Sequence, residues 1–200
     1  AIVGFSSILA ETANTPENRE YIRIIEDNNY LLLQLINDIL DLSRIEAGLL
    51  NFCYTDIDIN SCIRKLEDTS RLRMPANVKC IAEFGMKRCY IHTEQNRLMQ
   101  VLGNYVSNAI KYTEHGTITI STVSYEMFTR IDISDTGSGI PETEQAKIFA
   151  RFYRSNSVQK QEGVGIGLYL ARQIISGEGG YIKVASVPGK GSTFSIFLPK

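Results

Sequence analysis

Histidine and cysteine are scarce in this chain of 200 residues, at two and four respectively. His92 and His115 lie far from each other and from the cysteines, and Cys53, Cys62, Cys80 and Cys89 have no metal-like spacing. A zinc site is therefore not expected. Each cysteine falls in an apolar pattern, which reads as reduced core thiols of a cytosolic domain. There is no apolar run of about 18 residues or more, so no membrane-spanning helix is expected. The opening AIVGFSSILA is too short to span and lacks the basic flank of a signal peptide. Charge of one sign is missing as well: the net charge of −1 gives no case for nucleic acid or a membrane surface as partner. Internal repeats, low-complexity tracts, GxxxxGK(S/T), GxSxG and HExxH are all absent. The first residue is Ala, not Met, and the chain reads as an excised piece.

What is there suits one or two soluble domains with a real core, at 44% hydrophobic and 22% charged residues. Apolar residues at helical spacing predict the end of a helix over 1–13, broken by Asn14, Thr15 and Pro16. A longer helix follows from Glu17 to Gly48. Its wide stripe runs from Tyr21 through Leu32, Leu35 and Ile39 to Ile45, and should pack on the first helix and on a second copy. The pattern changes near 50. A strand is expected over Leu50–Asp56, then a short helix capped by Asp58 or Asn60, a strand around 78–84 and another near 88–92.

Residues 97–113, RLMQVLGNYVSNAIKYT, form the helix around which the rest is arranged. Leu98, Val101, Leu102, Tyr105, Ala109 and Tyr112 would face a core. Asn104, Asn108 and Lys111 fall at i, i+4 and i+7 and share another face. Two carboxamides and an ammonium in a row suit an anion with a metal ion beside it, since an amide oxygen is a hard ligand that adds no charge. A strand pair follows over 117–123 and 127–134. After it comes DTGSGIP, with Asp135 at a strand end and glycines that let the backbone approach a ligand. Pro141 should start a helix running through ETEQAKIFARFYR. Residues 155–163 are polar and without period, which reads as a mobile loop. GVGIGL then opens a helix from about Gly165 to Ser176, and bare amides at such an end suit phosphate. It does not follow a strand in a βαβ unit, so a dinucleotide fold is not expected. A terminal hairpin joined by PGKG closes the chain. The whole is expected to be α+β: a helical hairpin over 1–50, then over 51–200 a two-layer α/β sandwich, a mixed sheet with helices on one face.

With these motifs in order, the chain resembles the transmitter region of a sensor histidine kinase. NYVSNAIKYT resembles the family's N box, DTGSGIP its first glycine box, IFARFYR its F box and GVGIGL its second glycine box. LLLQLINDILDLSRIEAG resembles the second helix of the dimerisation and histidine-phosphotransfer hairpin. The resemblance implies the sandwich shared with gyrase and mismatch-repair ATPases, with ATP and Mg²⁺ as cofactors. Asn108 would bind the Mg²⁺, and Asn104 and Lys111 would hold the phosphates. Tyr112 would pack on the nucleotide, and Asp135 would accept from the adenine amino group. Gly137, Gly139 and Ile140 would shape the pocket floor. Gly163, Gly165, Gly167 and Leu168 would form the phosphate side of a lid hinged on 155–163, with Arg154 near the γ-phosphate as the catalytic residue. The implied partners are a second copy, through the hairpin, and a response-regulator receiver domain, with no nucleic acid. The implied location is a cytoplasmic domain whose parent is anchored in the inner membrane.

Two features depart from the family pattern. The phosphoacceptor His, expected several residues before AIVGFSS, is not in the chain, so self-phosphorylation on His is not expected. Gln100 stands four residues before Asn104, where related ATPases place a general-base Glu; a carboxamide cannot take a proton from water, which favours kinase over hydrolase. A nucleotide-responsive dimer module and a gyrase-type ATPase remain the alternatives.

Overall fold

The computed structural model describes residues 9, 15–49, 52–71, 73–154 and 164–200, with only the backbone at Asp27. The chain divides into two compact units, 1–50 and 51–200.

In the first unit, α1 spans Pro16–Glu46. Its start lies one residue before the expected Glu17, at Pro16, because a first-turn residue needs no amide donor. The Thr15 hydroxyl caps this end by accepting from the Asn18 N–H at 3.2 Å. At the other end Gly48 takes φ +67°, and the Leu49 and Gly48 amides donate to the Arg44 and Ile45 carbonyls at 2.8 and 3.0 Å. Ile22, Asp38, Asp41 and Leu42 are buried, while Tyr21, Ile24, Leu32, Ile36 and Ile39 are exposed. The helix expected over 1–13 lies, Leu9 apart, outside the described residues.

The second unit runs β1 (Thr55–Asp58), α2 (Ile59–Arg71), β2 (Val78–Phe84), β3 (Tyr90–Thr93), α3 (Gln95–Tyr112), β4 (Gly116–Ser124), β5 (Phe128–Asp135), α4 (Glu142–Gln145), α5 (Gly167–Gly177), β6 (Tyr181–Val187) and β7 (Gly191–Pro199). Five strands form one mixed sheet in the order β2-β4-β5-β7-β6, in which only β2 and β4 are parallel. β1 and β3 form a separate antiparallel pair. Ile120 lies opposite Ile133, and Ile131 opposite Ile196, so one face of the sheet is a continuous aliphatic surface. The apolar sides of α2, α3 and α5 cover it with Ile59, Ile63, Leu98, Leu102, Tyr105, Leu170, Ile174 and Ile175, all essentially without exposure. Burial of each such aliphatic side chain contributes about 1.5–3 kcal/mol. The other face carries alternating Thr, Ser and charged residues, as in a two-layer sandwich.

Three elements differ from expectation. Among the described residues the strand expected near 50 covers Thr55–Asp58; before it, the Tyr54 ring stacks on Phe52 and on His92 at centroid distances of 5.7 and 5.6 Å. The helix expected from Pro141 to Arg154 covers only Glu142–Gln145, with Pro141 just before it. A continuing helix would be at odds with Phe152, which takes φ +58° and sends its N–H to the Gly165 carbonyl at 3.0 Å. Cys53 is exposed rather than a core thiol, while Cys62 and Cys89 are buried. Burial pushes the half-buried Cys80 thiol up to about 11. The segment 155–163 lies outside the described residues, and with it Gly163.

Candidate functional site

The site starts from the cap of α3. The Glu94 carboxylate accepts from the Asn96 and Arg97 amides at 3.1 and 2.7 Å, which fixes where the helix begins and thus which face meets the sheet. With Leu98, Val101, Leu102, Tyr105 and Ala109 buried, Asn104, Asn108, Lys111 and Tyr112 are left half-buried at the edge of that contact. The Lys111 ammonium lies 5.3 Å from the centre of the Tyr112 ring.

The first glycine loop leaves β5 and folds against the C-terminal end of α3. The Ser138 amide donates to the Tyr112 carbonyl at 3.2 Å, and a Cβ on Gly137 would run into that same carbonyl. Only glycine allows this approach. Asp135 is held from two sides: its Oδ1 accepts from the Gly137 amide at 2.9 Å and the Ser192 amide at 3.3 Å. Burial pushes the Asp135 carboxyl above the usual range, and the two amide bonds partly offset this. Among the described residues both hydrogen bonds to the carboxylate fall on Oδ1, so Oδ2 remains as an acceptor. Gly139, at φ +69°, passes directly over the Val187 carbonyl. The Ile140 amide donates to the Ser186 hydroxyl at 2.7 Å, and Gln145 ties the Ile140 and Ser186 carbonyls together at 3.0 and 2.9 Å.

The second glycine turn reaches α3 from the other side. Gly165, at φ +79°, brings the Tyr153 carbonyl within 2.6 Å of where its Cβ would stand. Gly167 opens α5, and its carbonyl accepts from the Asn104 carboxamide at 3.3 Å. Ile166, before it, gives this helix no side-chain cap. Leu168 is half-buried in the first turn. Burial pushes the Tyr112 phenol up and the Arg154 guanidinium pulls it back, so Arg154, itself exposed, has its charge near the end of α3.

The first glycine turn thus meets α3 at its C-terminal end, and the second meets it at Asn104, with the 149–154 segment pinned to Gly165. Asp135, Gly137 and Arg154 gather at Tyr112, and Gly167 at Asn104. His92 and His115 stand apart: His92 pairs with Asp56 at 2.8 Å, and His115 is an exposed turn residue. The anchors Ser186, Ser192 and Gln145 were not expected from sequence, because their contacts come from strand pairing and carry no local signal.

The donors suit a purine nucleotide. A half-buried carboxylate with one open oxygen can accept from an exocyclic amino group, and bare helix amides can meet phosphate. The described residues hold no group of three His, Cys, Asp or Glu able to bind a metal by themselves. A divalent ion at Asn108 would therefore take water and phosphate oxygens as its other ligands, as Mg²⁺ commonly does.

The family model described as "Histidine kinase-, DNA gyrase B-, and HSP90-like ATPase" matches residues 93–200, and "His Kinase A (phospho-acceptor) domain" matches residues 1–48. The circadian input-output histidine kinase CikA of Synechococcus elongatus is 35% identical over all of this chain and 28% of its own length. The aerobic respiration control sensor protein ArcB of Escherichia coli is 34% identical over 98% of this chain and 26% of its own length. The chain therefore spans about a quarter of the length of these relatives. Among solved structures, full-length ShkA in complex with AMPPNP aligns with a TM-score of 0.83 and 26% identity, over 99% of this chain and 42% of that one. Histidine kinase ThkA in complex with the response regulator protein TrrA aligns at 0.72 and 25% identity, over 100% of this chain and 56% of that one.

Proposed function

The chain belongs to the histidine kinase-, DNA gyrase B- and HSP90-like ATPase family and, within it, to the sensor histidine kinases; on that premise we propose that residues 51–200 bind Mg–ATP in the site on α3. The observation that carries this reading is the meeting of Asp135, Tyr112 and the two glycine turns around one helix. Asp135 Oδ2 accepts from the adenine amino group, with Gly137, Gly139 and Ile140 as the floor beneath the base and Tyr112 packed against it. Asn104, Lys111 and the turn through Gly165, Gly167 and Leu168 hold the phosphates. Gly163 is assigned to the same turn by its motif. Asn108 supplies an oxygen to Mg²⁺, which offsets the charge of the phosphates. Arg154 lies near the γ-phosphate, where a guanidinium stabilises charge as the phosphoryl group leaves.

In the intact protein the γ-phosphoryl passes to an imidazole nitrogen on the hairpin, and from there to an aspartate of a receiver domain. The exposed apolar residues of α1 are assigned to a second copy, which would complete a hairpin bundle. ATP supply puts this region on the cytoplasmic side. Among the described residues no helix is long and apolar enough to cross a membrane, so an inner-membrane anchor of the parent would belong to other residues.

A gyrase-type hydrolase is the second reading. Gln100 disfavours it: the Gln100 Oε1 accepts from Arg97 at 2.9 Å, and a carboxamide offers no base to activate water. Calorimetric titration of the chain and of Asp135→Ala with Mg–ATP tests the site. Binding by the parent and loss in the variant are expected; equal affinities would remove the adenine contact.

A further inference from the structure

Residues 146–154 are a run of turns outside any helix or strand, and they carry Arg154. Two guanidinium contacts, running in opposite directions, tie this run to α5. Arg151 lies 4.7 Å from the centre of the Tyr169 ring, and its Nη2 donates to the Tyr169 hydroxyl at 2.8 Å. Arg172, three residues further along the helix, lies 5.5 Å from the centre of the Phe149 ring. Phe149 is itself buried, edge-on to Phe194 of the sheet at 6.5 Å. Each segment thus gives one cation and receives one on a ring. Tyr169 sits in the first turn of α5, two residues after the carbonyl that Asn104 holds. Arg151 sits three residues before Arg154, on the stretch whose backbone is pinned to Gly165.

We propose that this crossed clasp is a positioning device: Arg151 on Tyr169, with Arg172 on Phe149, holds the Arg154 guanidinium at the γ-phosphate end of the site, so the clasp sets preference for nucleoside triphosphate over diphosphate. The inference rests on the nucleotide reading above. Neither Arg151 nor Arg172 is assigned a contact with the nucleotide. Their effect runs through the turn between Phe149 and Arg154 and through the first turn of α5. Arg151 is exposed, so its removal leaves the core untouched.

The test compares Mg–ATP with Mg–ADP affinity, by calorimetry, in the parent, Arg151→Ala, Tyr169→Phe, Tyr169→Ala and Arg154→Ala. Arg151→Ala and Tyr169→Ala are each expected to weaken Mg–ATP about fivefold to tenfold while Mg–ADP changes less than about twofold. A variant carrying both Arg151→Ala and Tyr169→Ala should be no worse than either single one, because both break the same contact. Tyr169→Phe keeps the ring, loses the hydroxyl and should fall between. Arg154→Ala should show the same triphosphate-selective loss. Equal losses for both nucleotides in Arg151→Ala would make the clasp a general structural prop and overturn the proposal, as would no loss at all. A parent that binds neither nucleotide would overturn the site reading itself, so the two failures are distinguishable.

Discussion

The carboxamide of Asn104 donates to the carbonyl of Gly167 across 3.3 Å, and so joins the middle of α3 to the first turn of the helix after the second glycine turn. Asn104→Ala removes the donor. Asn104→Asp removes it too and adds a negative charge beside the place assigned to phosphate. Mg–ATP affinity, measured by titration, should therefore fall in the order parent, Ala, Asp, with the Asp variant weakened more than about tenfold. Equal affinities for the two variants would remove the phosphates from this side of the helix.

Glycine at two positions should respond in opposite directions. Gly139 has φ +69° and stands where a Cβ would meet the Val187 carbonyl. Gly139→Ala should cost at least about 1–3 kcal/mol and disturb the Asp135 loop. Gly103, inside α3, has nothing within 4 Å of its Cβ position. Gly103→Ala should add about 0.5–1 kcal/mol. Urea denaturation of both variants checks the pair.

Two buried hydroxyls make a second contrast. The Tyr105 hydroxyl is buried with no hydrogen-bond partner among the described residues. Tyr105→Phe should be neutral or stabilising, by up to about 1 kcal/mol, because the unmet cost of burying the oxygen goes with it. The Thr122 hydroxyl donates to Asn60 Oδ1 at 3.1 Å, while Asn60 Nδ2 donates to the Met86 carbonyl at 2.7 Å. Thr122→Val keeps the shape but leaves a buried acceptor unpaired, and should cost about 1–3 kcal/mol. Thermal unfolding of the two variants should shift in different directions.

Stability of α1 should depend on pH through Asp38. Burial, and then the neighbouring Asp41 carboxylate, push the Asp38 carboxyl up from 3.8 to about 6. Between these values the folded state holds a proton that the unfolded state has released. Stability therefore falls as pH rises through this window, and the loss is complete above it. Asp38→Asn removes the ionisable group, so its advantage over the parent should be near zero at about pH 4 and reach up to about 3 kcal/mol at about pH 7. Denaturation followed across this range tests it; an advantage that does not change with pH would contradict the sign.

Much of the frame was legible in the residues. The stripe from Leu98 to Ala109 gave α3, because helical spacing of apolar residues has no other use at that length. The alternation of Ile118 and Ile120 with Thr, and of Ile131 and Ile133 with Asp132, gave two strands with one buried face. The start of α1 was legible to within one residue, because a proline suits the first turn of a helix and Thr15 can cap it. The run after Pro141 was misread because its local preference for helix is overridden by the backbone of Phe152, which turns to bond with Gly165.

By itself the sequence determined the order of elements and the residue types at the two glycine turns, because periodicity and glycine requirements are local properties of the chain. It could not decide which carbonyl each glycine passes, that Ser192 would share Asp135 with Gly137, or that Arg151 would meet the Tyr169 ring and Arg172 the Phe149 ring. Those contacts join residues 12 to 57 positions apart, and their partners are fixed only when the sheet register and the packing of α3 on it are set.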